Sequence, residues 1–333
     1  LARNPVNAIF EDETGTLWVG TVEGGLNRKV KDSNSFIHYT NENGTLNHNS
    51  VSAITADAKG RLWVGTWGGG INLLDKKNPQ YKPQTLTPAN CNNYPINFIG
   101  SLTYDPINDG IWVGANEGLY FYDLEQEKMT ALLPDSIARN IHGCIGSIID
   151  HDGQLWIGCL EGAYVIDLHS LRTTAQDYLR YRHLKYKLDQ PESGLLEKID
   201  CFHQTEDGTL WLGSNGCGLY RRTTDPDGKE RFEAYTTAEG LPNNCVRNIL
   251  GDDKGRLWLA TNNGLSCFLP AKKHFINFTR QDGLTSTQFY WNAACRSADN
   301  QLYFGHVAGM VAIDPELPPF RAAQSSPLRF TWL

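Results

Sequence analysis

The sequence has no apolar run approaching the roughly 18 residues that a membrane-crossing helix needs, so no helical span lies within it. It has no surplus of positive charge. Its 30 Lys and Arg face 37 Asp and Glu, a formal net charge of −7, which argues against a broad basic face for nucleic acid. Its eight cysteines contain no C-x-x-C pair, so the clustered spacing of a structural zinc site is missing. Scattered at 91, 144, 159, 201, 217, 245, 267 and 295, they read as buried free thiols, with an occasional disulfide as the alternative. No segment shows a convincing amphipathic helical period. The chain begins Leu1-Ala2-Arg3, without an initiator Met or a signal peptide. It is expected to be a piece of a longer protein, with targeting information missing rather than negative.

What is abundant is glycine and tryptophan, 32 and 9 against only 2 Met. Glycine and aromatics in short alternating segments point to β architecture with many turns. At 333 residues the chain can bury a sizeable core without help from metal or disulfide. A composition 40% hydrophobic and 20% charged is that of an ordered globular chain.

One motif recurs seven times. Trp18 sits in GTLWVGT, Trp63 in GRLWVGT, Trp112 in GIWVGA, Trp156 in GQLWIGC, Trp211 in GTLWLGS and Trp258 in GRLWLAT; Tyr303 takes the place in QLYFGH. A first apolar segment precedes each motif, as in VNAIFED, VSAITAD and VRNILGDD, and is joined to it by a tight turn. Asp-Gly at 109–110, 152–153 and 207–208 is a strong hairpin signal. A third segment such as INLLD or AYVID follows, then a weaker fourth such as RFEAYTT. Four short antiparallel strands repeated seven times predict an all-β, seven-bladed β-propeller with four-stranded blades. The units start near 6, 51, 98, 144, 199, 245 and 289, and the propeller spans 1–316. The repeated Trp is expected to fill the wedge between diverging blades. The glycine two residues on is expected to allow close approach. Residues 317–333 are a linker, the first strand of a following β-sandwich, or the outer strand of a last blade that otherwise has three. The long basic connection from His169 to Lys198 reads as an outer strand with a solvated face. Asp150-His151-Asp152-Gly153 reads as a hairpin turn, since it lacks the length and later ligands of a calcium loop.

The unit V-x-x-I-x-x-D-x-x-G-x-L-W-[IVL]-G-[TAS]-x-x-G-[GL], closed by F-x-x-[YF], resembles the two-component regulator propeller repeat. The connections LNHNSVSAI and LPNNCVRNI, and the opening LARNPVNAI, match the same family. The resemblance covers about residues 4 to 315. It implies an extracytoplasmic, periplasmic sensor region of a hybrid two-component histidine kinase of the kind found in Bacteroidetes. Such a chain carries a second propeller, a β-sandwich, a membrane helix and cytoplasmic kinase modules, and responds to glycans or their fragments. Membrane contact would come only through segments absent here.

In a propeller the loops between second and third strands, and those between blades, emerge on one face. That face carries ligand sites on a rigid scaffold, and there the repeat departs most from itself. The second-to-third loops offer Glu23, Trp67, Glu117, Glu161, Asn215, Asn263 and His306; the inter-blade loops offer His48, Tyr94, His142 and Asn244. Flat aromatics with amides and carboxylates suit an oligosaccharide or other small polar ligand. The plain alternative for the Asn residues is turn chemistry. Glu23, Glu117 and Glu161 occupy equivalent positions, which shared turn chemistry also explains. No metal or cofactor is implied. The expectation is a non-catalytic sensing domain in contact with neighbouring domains of its own chain. The alternatives are a propeller lyase or hydrolase with a His/Glu pair at the channel mouth, such as His306 with Glu117 or Glu161, or His142 or His48 with Glu23, and a protein-interaction or homodimerisation platform.

Overall fold

Each repeat unit folds as an antiparallel sheet whose four strands lie side by side in chain order, and there are seven such sheets. The structure is a computed structural model that describes residues 5–33, 35–76, 83–130, 132–170, 179–185, 198–316 and 331–332. The first strands are Val6–Glu11, Val51–Ala56, Ile99–Asp105, Ser147–Ile149, Ile199–Gln204, Val246–Gly251 and Phe289–Arg296. Each packs against the first strand of the next blade, and the seventh packs against the first, so these strands form the inner ring of a closed propeller. The outer strand of blade four is Arg180–Leu184. Thr331–Trp332 pairs with Val311 and Ala312 as the fourth strand of blade seven. The rest of the tail, 317–330 and 333, with its linker or sandwich reading, lies outside the described residues.

The core is divided by seam. The described residues form seven apolar clusters, each spanning one blade and the next, and each contains the aromatic residue of the earlier blade's motif. Trp18, Trp63, Trp112, Trp156, Trp211 and Trp258 are all buried. A large flat side chain on the second strand faces the next sheet where the blades splay apart, and there it removes the most apolar area from water.

Burial of an indole also hides its N–H, which then needs an acceptor. In five blades a carboxylate from the first hairpin supplies it: Trp18 donates to Asp12 (2.8 Å), Trp63 to Asp57 (3.0 Å), Trp112 to Asp105 (3.0 Å), Trp156 to Asp150 (2.8 Å) and Trp258 to Asp252 (2.7 Å). The same carboxylate collects backbone N–H groups of its own turn, as Asp150 does from Asp152 and Gln154. Asp150-His151-Asp152-Gly153 is thus a turn and latch. Burial pushes the Asp12 carboxyl up, but the hydrogen bonds from Thr14, Trp18 and Thr16 outweigh it and hold it below the usual range.

The glycine after Trp-x is a close-approach residue. A Cβ at Gly20 would meet Val51 of the next blade at 2.4 Å, and one at Gly65 would meet Ile99 at 2.5 Å. Blade six has Ala260 there, and the first strand that packs beyond it, in blade seven, carries the largest irregularity of the ring. Between Phe289 and Ala294 that strand advances five residues while its partner moves only from His306 to Phe304. All eight cysteines are free, five of them buried.

Candidate functional site

Antiparallel order places the second-to-third and inter-blade loops together on one face, here the loop face, and the other turns on the opposite, hairpin face. The sequence candidates divide sharply by burial.

Trp67 is 39% exposed and lies edge-on to Phe98, itself 41% exposed, with ring centroids 5.5 Å apart. A backbone bridge joins the two residues, which belong to blade two and the entry to blade three. A second bridge pairs Glu117 with His142, both exposed, at the passage from blade three to blade four. Leu160, 53% exposed, follows one loop further on, with its N–H donated to the His142 carbonyl. Glu161 is exposed, and its carbonyl faces His183 Nε2 at 2.9 Å. Trp67, Phe98, Glu117, His142, Leu160 and Glu161 therefore make an arc over blades two to four in which exposed apolar surface alternates with titratable groups. Glu23 is exposed with φ 61°, on blade one.

Other candidates hold the scaffold. The Asn244 side chain accepts from Thr237 N–H, and its carbonyl takes Gly216 and Gly218 N–H. Asn215 bridges Cys245 across a seam. Asn263 donates its amide to the Pro242 carbonyl at 3.4 Å. His48 accepts from Ser50 N–H and packs on Gly68 and Gly69. Two residues expected on the face are buried. Tyr94 is 8% exposed and lies 4.6 Å from the Tyr120 ring. His306 is 1% exposed, edge-on to Phe289 at 5.7 Å, and burial lowers its pKa to about 4. It occupies the repeat position of Thr21, Thr66 and Thr261, all fully buried at the end of a second strand. Strand parity points that side chain inward, so the expected pairing of His306 with Glu117 or Glu161 does not form.

A polar set around the channel escaped the list of candidates. Most first strands carry a one-residue bulge near their start, and the bulged residues include Asn7, Ser52, Asp200 and Arg247. Their side chains stitch to the next blade: Asn7 Nδ2 donates to the Val51 carbonyl (3.2 Å), Ser52 Oγ to the Ile99 carbonyl (2.6 Å), and Arg247 bonds Asp200. The signal was present as a polar residue directly after the first apolar one of each run, as in VNAIF, VSAIT, IDCF and VRNI. Burial pushes the Asp200 carboxyl up despite Lys198 and Arg247 beside it. Arg247 also reaches Asn262 Oδ1 (2.9 Å) and lies 5.9 Å from the Trp291 ring. In blade seven the bulge widens to include Asn292, with φ 57°, whose amide donates to the Gly100 carbonyl of blade three. That bond crosses a central cavity of about 240 Å³. Asn7 Oδ1, Ser101 Oγ, Asp200 Oδ1 and Trp291 Nε1, all on inner strands, are buried without a hydrogen-bond partner in the protein.

Fold and site together define a seven-bladed propeller with a regular latched scaffold and one diversified loop face. The family model for the two component regulator propeller matches residues 1–23, 45–68 and 240–263. The matched stretches carry the first two strands of blades one, two and six, and there the repeat of this chain matches the two component regulator propeller repeat. Over 77 residues, 23% of the chain, it is 31% identical to Histidine kinase P4 of Formosa agariphila, of which the matched stretch is 6%. Among solved structures it is similar to the extracellular domain of a putative hybrid two component system from B. thetaiotaomicron (TM-score 0.76, 22% identity, 99% of this chain and 44% of that one). It also shares its fold with virginiamycin B lyase from Staphylococcus aureus (TM-score 0.63, 15% identity, 93% and 94% of the two chains). The chain spans less than half of that extracellular domain and a small part of the kinase. No helix among the described residues is long and apolar enough to cross a membrane.

Proposed function

We propose that this propeller is the ligand-reading part of an extracytoplasmic, periplasmic two-component sensor, and that the ligand is a glycan or oligosaccharide received on the loop face. The observation that carries the reading is the exposed Trp67–Phe98 pair beside Glu117 and His142 on an otherwise repetitive scaffold. The C–H face of a sugar ring packs on an aromatic face, and its hydroxyls need polar partners within reach. A ligand spanning blades two to four would favour one orientation of the propeller against neighbouring domains of the same chain. Only such a differential contact can shift a signalling equilibrium.

Calorimetry of the protein against a panel of glycan fragments tests this. Saturable binding that is lost in Trp67→Ala and Phe98→Ala, with folding intact, is the expected result. Binding unaffected by both substitutions, or none across the panel, would overturn it.

Catalysis by a His/Glu pair has one observation in its favour, the placement of His142 opposite Glu117. The lyase likeness supports the fold alone. Turnover of any panel glycan that His142→Asn abolishes would establish catalysis in place of sensing.

A further inference from the structure

Blade five breaks the latch on the hairpin face. Two latches elsewhere have an arginine as a third member. In blade two, Asp57 Oδ2 accepts from both Trp63 Nε1 (3.0 Å) and Arg61 Nε (2.7 Å), and the guanidinium lies 6.0 Å from the indole. In blade six, Asp252 Oδ2 accepts from Trp258 Nε1 (2.7 Å) and Arg256 Nε (2.6 Å), with the guanidinium 5.6 Å from the indole. The protein thus builds one carboxylate receptor twice, from an indole N–H and an arginine Nε–H.

Blade five keeps the indole and lacks the carboxylate; Thr209 stands where Arg61 and Arg256 stand in the other two hairpins, and the arginine beside the indole comes instead from the third strand. Trp211 is the indole, and Arg221, its cross-strand partner, places a guanidinium 5.8 Å from it. The acceptor position is Thr205, whose hydroxyl turns to Asp207 Oδ1 (2.6 Å) and the Thr209 carbonyl (3.0 Å). Arg221 Nε is buried without a hydrogen-bond partner. Asp207 holds Thr205 and Thr209, and Glu233, the cross-strand neighbour of Arg221, holds Lys273; both carboxylates feel the Arg221 charge, but neither bonds its Nε. Next to these donors, between the hairpins of blades five and six, lies a cavity of about 630 Å³ that Trp211, Arg221 and Thr205 line together with Pro270, Ala271 and the cations Lys254, Arg256 and Arg296, and whose wall also carries the carboxylates Glu206, Asp207, Asp252 and Asp253. Arg296 is already tied to Asp253 and Asn300.

We propose that this pocket binds a small carboxylate-bearing molecule, whose carboxylate takes the place that Asp57 and Asp252 hold in blades two and six. Trp211 Nε1–H and Arg221 Nε–H donate to it, and the body of the ligand lies against Pro270 and Ala271. The cavity volume admits a ring-sized acid. The site is on the opposite face from the glycan arc and stands or falls independently of it.

The test is titration of the intact protein with acetate, benzoate and glucuronate, each beside its neutral counterpart acetamide, benzamide or glucose, read by calorimetry and by the indole N–H resonance of Trp211, assigned through Trp211→Phe. The acids are expected to shift that resonance and the neutral compounds to leave it in place. Arg221→Gln should weaken binding roughly tenfold or more, as loss of a charge-assisted hydrogen bond does. Thr205→Asp should reinstall the latch, raise the melting temperature and abolish binding. Equal binding of acids and neutral compounds, acid binding unchanged in Thr205→Asp or Arg221→Gln, or no shift of the Trp211 resonance by any acid would overturn the proposal.

Discussion

Six seams of this ring are wedged by an indole, and the seventh, where the chain closes on itself, is not. At the blade seven to blade one junction Tyr303 stands in place of Trp, and Ser297 in place of the latch Asp. Its buried side chains are comparatively small, Val6, Val19 and Ala293 among them, with Met310. Among the described residues no strand is exchanged between blades one and seven, since blade one is built from the strands between Val6 and Tyr39 and blade seven from strands that begin at Phe289. Across the first hairpins the junction is tied by Ala298 N–H donating to Glu11 Oε2 (2.7 Å). The difference teaches that closure rests on shape matching inherited from six well-filled seams, and that the ring should open first where it is filled least.

The sharpest break in that comparison is Trp258→Ala. The indole is fully buried, stacks on Phe278 at 5.9 Å and satisfies Asp252. Its loss is expected to cost about 3–5 kcal/mol in denaturant unfolding. Tyr303→Ala, at the closing seam, should cost about 1–3 kcal/mol. If the closing seam proves as costly as the indole seam, the two are not different in kind.

Acid should act on the same contrast. His306 lies in blade seven against Phe289, and its pKa is lowered by burial from 6.5 to about 4. Between those values the unfolded chain binds a proton that the folded chain refuses. Stability therefore falls as pH drops from about 6.5 toward 4, by on the order of 3 kcal/mol for this group. His203 in blade five, also lowered to about 4, adds to the same limb. Asp12 behaves otherwise: its folded pKa is depressed, so its contribution is present above about 3.8 and is lost only below that. Hydrogen exchange at pH 5 should open blade seven amides before those of blade one, and His306→Gln should flatten the limb.

These contrasts show what the sequence made legible. Seven copies of one motif fixed blade number, strand order and the burial of every motif indole, because periodicity of that strength leaves little else to fold into. Loop composition drew candidates from the loop face without separating exposed side chains from buried ones. His306 resembled a loop residue until register showed it to be the last inward position of a strand, while Asn244 and His48 were polar for the sake of their own backbone. The Asp latch was written in the sequence six or seven residues before five of the six motif Trp. It went unread because an Asp near a turn is expected for turn chemistry alone. Asp200 and Arg247 went unseen because they meet only when adjacent blades bring their bulges together.

The latch can be carried to the closing seam. Ser297→Asp with Tyr303→Trp would give blade seven the pair that five other blades use. Ser297 already serves its turn by holding Gln301 N–H at 3.0 Å, so only the indole bond and added area are new. A gain of about 1 kcal/mol in chemical denaturation is the expected size, and slower exchange in blade seven should accompany it.

The smallest effect separates scaffold from surface. Trp67 shares its residue type with the wedges but not their setting: it is 39% exposed, and its one hydrogen bond to the scaffold is made by its backbone N–H to the Ser50 carbonyl. Trp67→Ala leaves that bond in place and removes an edge contact with Phe98 that water can replace. The denaturation midpoint should therefore correspond to a change within about 0.5 kcal/mol, an order below that of Trp258→Ala. A loss of several kcal/mol would mean that Trp67 belongs to the second seam's core. The aromatic arc would then be a structural edge rather than a surface left open for a ligand.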